Sequence, residues 1–143
     1  ELFKNSQHWP KKVKIITHFY APTEIESDPE QIKQVLWNLF LNASEAMPDG
    51  GSLHISTTLE SETSPQGQRR VRITVRDTGS GFHDKAISHL FTPFFTTKDE
   101  GTGLGLAIVK RIIDGLKGEI YGSNHPEGGA EVTIVLPVSK LCL

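Results

Sequence analysis

Three short stretches carry the residue types that could do chemistry. In "NLFLNASEAM", Asn38, Asn42 and Glu45 fall together, at about 100° per residue, beside an apolar helical stripe. Asn42 could offer an amide oxygen to a hard cation such as Mg²⁺, which keeps most of its waters and binds chiefly through phosphates. The same asparagines also suit a merely solvated helix margin. In "DTGSGF", Asp77 ends the strand-like run "VRITV". A fixed carboxylate accepts hydrogen bonds, and an exocyclic amine such as that of adenine is a suitable donor. Gly79 and Gly81 would admit a flat ring against the backbone, with no Cβ in the way. A plain Asp-Thr-Gly turn that closes a strand is the other reading. In "GTGLGLAIVK", glycines run into a helix N-terminus, where free N–H groups and the positive dipole end attract phosphate. A flexible hinge fits there too. No G-K-[S/T] follows, and no strand precedes, so neither a Walker A loop nor a dinucleotide fingerprint is present.

These residues need elements to hold them. "KKVKIITHFY" reads as a strand with Val13, Ile15, Thr17 and Phe19 on one face. The first long helix opens with Asp28 as N-cap, Pro29 at the first helical position and Gln31 at capping-box spacing. Ile32, Val35, Leu36, Leu39, Phe40, Ala43 and Met47 form its apolar stripe, and "MPDGGS" stops it. "LHISTTLE" and "RRVRITVRD" alternate and form a hairpin across "SETSPQGQ", with Val71, Ile73 and Val75 facing a core. Within the irregular stretch 77–103, one short helix is expected at "DKAISHLF". A second amphipathic helix runs from about Leu104 to Leu116, with Gly118 as its stop. "GEIYGS" and "AEVTIVLP" pair around the turn "NHPEGG". Helices on one face of a mixed, mostly antiparallel sheet give an α+β two-layer sandwich.

The totals narrow the field. The chain has 143 residues, one ordinary domain's worth, and a net charge of -2 with acids and bases interspersed. No basic footprint argues for nucleic acid. Cys142, the one cysteine, cannot make an internal disulfide, which fits a reducing compartment. No apolar run approaches the roughly 20 residues that span a bilayer, and no signal peptide opens the chain. The abrupt start at Glu1 is read as an excision from a longer protein. Residues 1–10 are then a linker or helix remnant, and residues 11–143 the domain.

The order and spacing of the motifs resemble the N, G1, F and G2 boxes of the catalytic, ATP-binding domain of two-component sensor histidine kinases. The matching stretches are "QVLWNLFLNASEAM", "DTGSGF", "LFTPFFTTK" and "GTGLGLAIVK". "FFTTK" followed closely by "GTGLGL" is similar to the nitrogen-regulation-type subgroup. The resemblance implies the Bergerat ATP-binding fold with a mobile lid over roughly 83–102, closing on the triphosphate. It implies ATP and Mg²⁺ as ligands. Asn42 would hold the metal, Asp77 the adenine amine, and Gly79 and Gly81 would admit the ring and hinge the lid. Gly101, Thr102, Gly103, Leu104, Gly105 and Leu106 would cradle phosphates, and Lys98 would approach the γ-phosphate. Asn38 lines the same site. Phe91, Phe94 and Phe95 would anchor the lid or meet a partner domain.

Asn38 also separates branches of the superfamily. Gyrase, chaperone and mismatch-repair relatives carry a water-activating glutamate one turn before the metal-binding asparagine. Asparagine is a poor general base, so transfer to histidine is favoured over hydrolysis. The rival readings are a stand-alone ATPase and a nucleotide-binding pseudo-kinase. The acceptor histidine, expected on a helical hairpin and followed by an acid, is not in this chain. His83 precedes Asp84 but lies in the lid, and His8, His18, His54, His89 and His125 lack that context. The implied partners are therefore a dimerisation and histidine phosphoacceptor domain of the same parent and a cognate response regulator. The isolated domain is expected to be a monomer on the cytoplasmic side, unable to phosphorylate itself. Two positions depart from the family: many relatives have a basic residue at Glu45 and an aromatic at Ala46. A third, Ala130, often has threonine beside the base-reading acid.

Overall fold

A computed structural model describes residues 12–19, 23–25, 27–60, 65, 67–95, 105–138 and 140–141. The expected linker at 1–10, the loop residues 61–64, the segment 96–104 and Cys142 lie outside the described residues. The elements run β1 (Val13–Phe19), β2 (Thr23–Glu24), α1 (Pro29–Glu45), β3 (Gly51–Leu59), β4 (Arg70–Asp77), α2 (Asp84–Ile87), α3 (Gly105–Gly115), β5 (Glu119–Asn124), β6 (Ala130–Pro137) and β7 (Lys140–Leu141).

Five strands form one sheet in the order β1-β3-β4-β6-β5, and β2 and β7 make a separate two-stranded ribbon. Only β1 and β3 are parallel within the sheet, because the chain crosses over through α1 between them. The β3–β4, β4–β6 and β5–β6 pairs are antiparallel, so the sheet is mixed and mostly antiparallel, as expected. Val35, Leu39, Phe40 and Ala43 of α1, with Met47 just beyond it, pack with Val109 and Ile113 of α3. They share one core with Leu53, Val71, Val75, Val132, Ile134 and Leu136 of the sheet. The other face of β4 carries arginines: Arg72 donates to Glu60 Oε1 at 2.9 Å and to the Tyr121 hydroxyl at 2.8 Å.

Local chemistry sets the helix ends. Asp28 caps α1 through its carboxylate, which accepts the Glu30 N–H at 2.9 Å. The Gln31 N–H goes instead to the Asp28 carbonyl at 3.0 Å, so this cap reaches one residue short of the capping-box pattern. At the end of α3, Lys117 donates to Asp114 O at 3.0 Å and Gly118 to Ile113 O at 3.0 Å. This is a Schellman closure whose left-handed residue is Lys117, at φ 60, and not the expected Gly118. Two further expectations change. The helix expected over 84–91 is one turn, Asp84–Ile87, with no side-chain cap from His83, and the chain continues through turns to Phe95. Burial fades along the edge strand β1, from Val13 at 7% exposed to Phe19 at 67%.

Candidate functional site

The alternation of β4 places Asp77 on the same face as Val71 and Val75. A carboxylate thus enters the core side of the sheet and is only 5% exposed. Such a group must be hydrogen-bonded to be tolerated there. Asp77 Oδ1 accepts the Gly79 N–H at 2.9 Å and the Ala130 N–H at 3.1 Å. Among the described residues no hydrogen bond reaches Oδ2, which leaves that oxygen as the acceptor able to read an incoming donor. Ala130 offers no side-chain hydroxyl, and its backbone N–H supplies the contact to the acid.

The turn after Asp77 is fixed by close approach. A Cβ on Gly79 would lie 2.3 Å from the Ala46 carbonyl oxygen, so this backbone sits directly on the C-terminal end of α1. The Ala46 Cβ is 3.0 Å from the same point, so position 46 abuts the turn. Thr78 Oγ1 accepts the Ser52 N–H at 3.0 Å, tying the turn to the start of β3. Gly81 adopts φ +79, a conformation that favours glycine. Next to it, Phe82 donates its N–H to Asn124 Oδ1 at 2.7 Å and accepts from Asn124 Nδ2 at 2.9 Å.

Helix α1 links this turn to the glycine-led helix. Asn38 Nδ2 donates to the Gly105 carbonyl at 3.3 Å, touching the first turn of α3. Asn38 and Ala46 are separated by roughly 12 Å of helical rise, and half-buried Asn42 lies midway between them. One helix therefore spans the gap between the acid-bearing turn and the start of α3. Glu45 is exposed on the same flank. Gly105 is exposed at the head of α3, and Leu106 packs partly against the core. Lys98, Gly101, Thr102, Gly103 and Leu104 lie outside the described residues.

Sequence reasoning singled out Asp77, Asn38 and Asn42, which lie on α1 and the turn beside its end, but not Asn124 or the Ala130 N–H. Asn124 stands before "HPEGG" and carries only the signal of a turn residue. A backbone N–H carries no sequence signal at all. Among the described residues, no three His, Cys, Asp or Glu side chains gather to hold a metal ion, and no helix is long and apolar enough to cross a membrane.

Comparison with known proteins gives this arrangement a context. Residues 27–140 match the family model "Histidine kinase-, DNA gyrase B-, and HSP90-like ATPase". The chain is 41% identical over 113 residues to sporulation kinase A of Bacillus subtilis (strain 168), covering 79% of this chain and 18% of that protein. It is 45% identical over 114 residues to the sensor histidine kinase ZraS of Salmonella typhi, covering 80% of this chain and 23% of that one. The chain thus spans about a fifth of the length of these curated relatives. Among solved structures, the catalytic domain of histidine kinase ThkA superposes with a TM-score of 0.74 at 33% identity, covering 88% of this chain and 79% of that domain.

Proposed function

The chain belongs to the histidine kinase-, DNA gyrase B- and HSP90-like ATPase family, as a histidine kinase catalytic domain, and from that premise we propose that it binds Mg²⁺-ATP and transfers the γ-phosphoryl group to a histidine on another domain of its parent protein. The observation that carries the reading is Asp77, a carboxylate 5% exposed with one oxygen held by two backbone N–H groups. A carboxylate so placed is a preorganised acceptor for the adenine amine, and the missing Cβ at Gly79 lets its turn pack closely on the end of α1. Full-length ShkA, whose structure in complex with AMPPNP shares the fold at a TM-score of 0.75 and 28% identity, lends support to an adenine nucleotide as ligand.

The residues present suit Mg²⁺ held through phosphates rather than in a cage of protein acids. Asn42, midway along α1 between Asn38 and the turn, is the residue assigned to the ion, and magnesium commonly takes one or two protein ligands beside phosphate and water. When bound, the ion neutralises charge on the transferring phosphates. Asn38 orients the head of α3 through Gly105, so that the α3 N-terminus and Gly103 to Leu106 can serve as the phosphate cradle. Lys98 completes the phosphate contacts. Asn38 has no basic group with which to activate water and its N–H is engaged, which supports transfer over hydrolysis. The acceptor histidine belongs to a dimerisation domain, and the phosphoryl group passes on to a response regulator on the cytoplasmic side. The nitrogen-regulation-type subgroup is the placement we favour.

Calorimetric titration of ADP tests the reading. Binding is expected to weaken when Mg²⁺ is chelated, and a chain that bound no nucleotide in either condition would refute the assignment. With ATP alone, no phosphohistidine is expected on this chain; adding the parent's phosphoacceptor domain should produce it there.

A further inference from the structure

Asn124 ends β5, Ala130 opens β6, and the two are cross-strand partners at the mouth of the hairpin between those strands. That one pair grips both ends of the turn 77–82. The Ala130 N–H donates to Asp77 Oδ1 at 3.1 Å. Asn124 accepts the Phe82 N–H at 2.7 Å and donates to the Phe82 carbonyl at 2.9 Å. A carboxamide that satisfies both polar groups of one residue imitates a neighbouring strand. It extends the sheet's hold past Asp77, where the β4 ladder ends. The clamp also needs the small residue beside it, since a Cβ on Gly81 would lie 2.8 Å from Asn124 Oδ1.

We propose that Asn124 is a positioning residue for nucleotide binding: it orders the turn 77–82 in the free protein, and so fixes Asp77 and makes Phe82 the stationary root of the segment after it. Glycine loses more conformational freedom on ordering than any other residue, and this turn carries two. Ordering it during folding removes that cost from the binding step and raises affinity. Asn124 acts through the turn and not on the ligand. The inference rests on the reading of Asp77 as the adenine acceptor.

The test uses this chain with Asn124→Ala and Asn124→Asp, read by Mg²⁺-ADP calorimetry and by amide hydrogen exchange without nucleotide. Asn124→Ala is expected to weaken ADP binding about tenfold, from the loss of two hydrogen bonds. Exchange should quicken at Phe82 and Gly79 while Ile73 and Val75 keep the parent's rates; a merely structural role would quicken all four together. Asn124→Asp keeps the acceptor and loses the donor, so affinity should fall about threefold with the Phe82 amide still protected. If Asn124→Ala does not fold, the Asn124→Asp pattern decides alone. Affinity within about twofold of the parent despite fast exchange at Phe82 would overturn the proposal. In Asn124→Ala, unchanged exchange at Phe82 would overturn it as well, as would an Asn124→Asp chain that binds ADP as the parent does. A parent chain that binds no ADP would sink the nucleotide reading instead, while the exchange pattern still decides whether Asn124 holds the turn.

Discussion

The turn 77–82 and the segment 83–95 are consecutive, equally irregular, and held by opposite means. The first is fastened at long range: Thr78 to Ser52, Phe82 to Asn124, and Asp77 to Ala130, across 26, 42 and 53 residues of chain. In the second, the backbone bonds close on themselves, Ala86 to His83, His89 to Ala86, Thr92 to His89 and Phe95 to Thr92. Ala86 is buried, but Phe94 stands 76% exposed at φ 67. Irregular backbone therefore has two physical meanings here. Where a carboxylate must stand in one place, the sheet holds every corner of the turn. Where the backbone bonds mainly within the segment, its hold on the rest comes from side chains, with Ala86 buried and Phe91 packed partly against the core.

Two substitutions test the first half of that contrast. Asp77→Asn has the largest expected effect. The amide keeps an oxygen able to accept from Gly79 and Ala130, so the fold should survive, but the charged acceptor proposed for the adenine amine is gone. ADP affinity should fall about 100-fold, with the thermal midpoint nearly unmoved. Calorimetry that found Asp77→Asn binding as the parent does would assign the base-reading role elsewhere. Gly79→Ala comes next and acts on stability. Its Cβ would meet the Ala46 carbonyl oxygen at 2.3 Å, and backbone cannot yield as a side-chain tip can. Urea denaturation should show a loss of about 2 kcal/mol. A loss below about 0.5 kcal/mol would mean that α1 does not brace the turn.

The same division decided what the sequence could reveal. Asp77 was legible because Val71, Ile73 and Val75 set a parity that the acid continues, and Asp28 and Pro29 because caps are local chemistry. The Asn124 clamp and the Ala130 N–H contact were not legible in the residue pattern, because contacts across 42 and 53 residues leave no periodic trace. Only the family resemblance put position 130 beside the acid. Phe19 obeys the alternation of β1 yet is 67% exposed, since alternation reports pleat and not whether anything covers the strand's end. Lys117 displaced the expected glycine at the close of α3 for a related reason. The Schellman bonds from Lys117 and Gly118 fix the geometry, and they ask only that the residue at φ 60 tolerate it. The parallel β1–β3 pairing follows from the α1 crossover, which periodicity alone does not specify.

Phe94→Gly tests the other half, and its small expected effect is the point. A bulky residue in the left-handed region costs about 1–2 kcal/mol in the folded state, and glycine removes that cost. Glycine also frees the unfolded chain, which takes back about 0.4–1 kcal/mol. The side chain at 76% exposure has little burial to forfeit. The balance leaves Phe94→Gly within about 1 kcal/mol of the parent, on the stabilising side, in a urea melt. ADP affinity should be unchanged, because the Asn124 clamp on Phe82 stands between this segment and Asp77. If the variant instead lost about 2 kcal/mol or more, Phe94 would be fastened by contacts comparable to those of the turn before it. The two regions would then differ in length of reach but not in strength of hold. If stability held and ADP affinity fell, Phe82 would not isolate the acid from the residues beyond it, and the division between a fixed reader and a separable segment would have to be drawn upstream of Phe82.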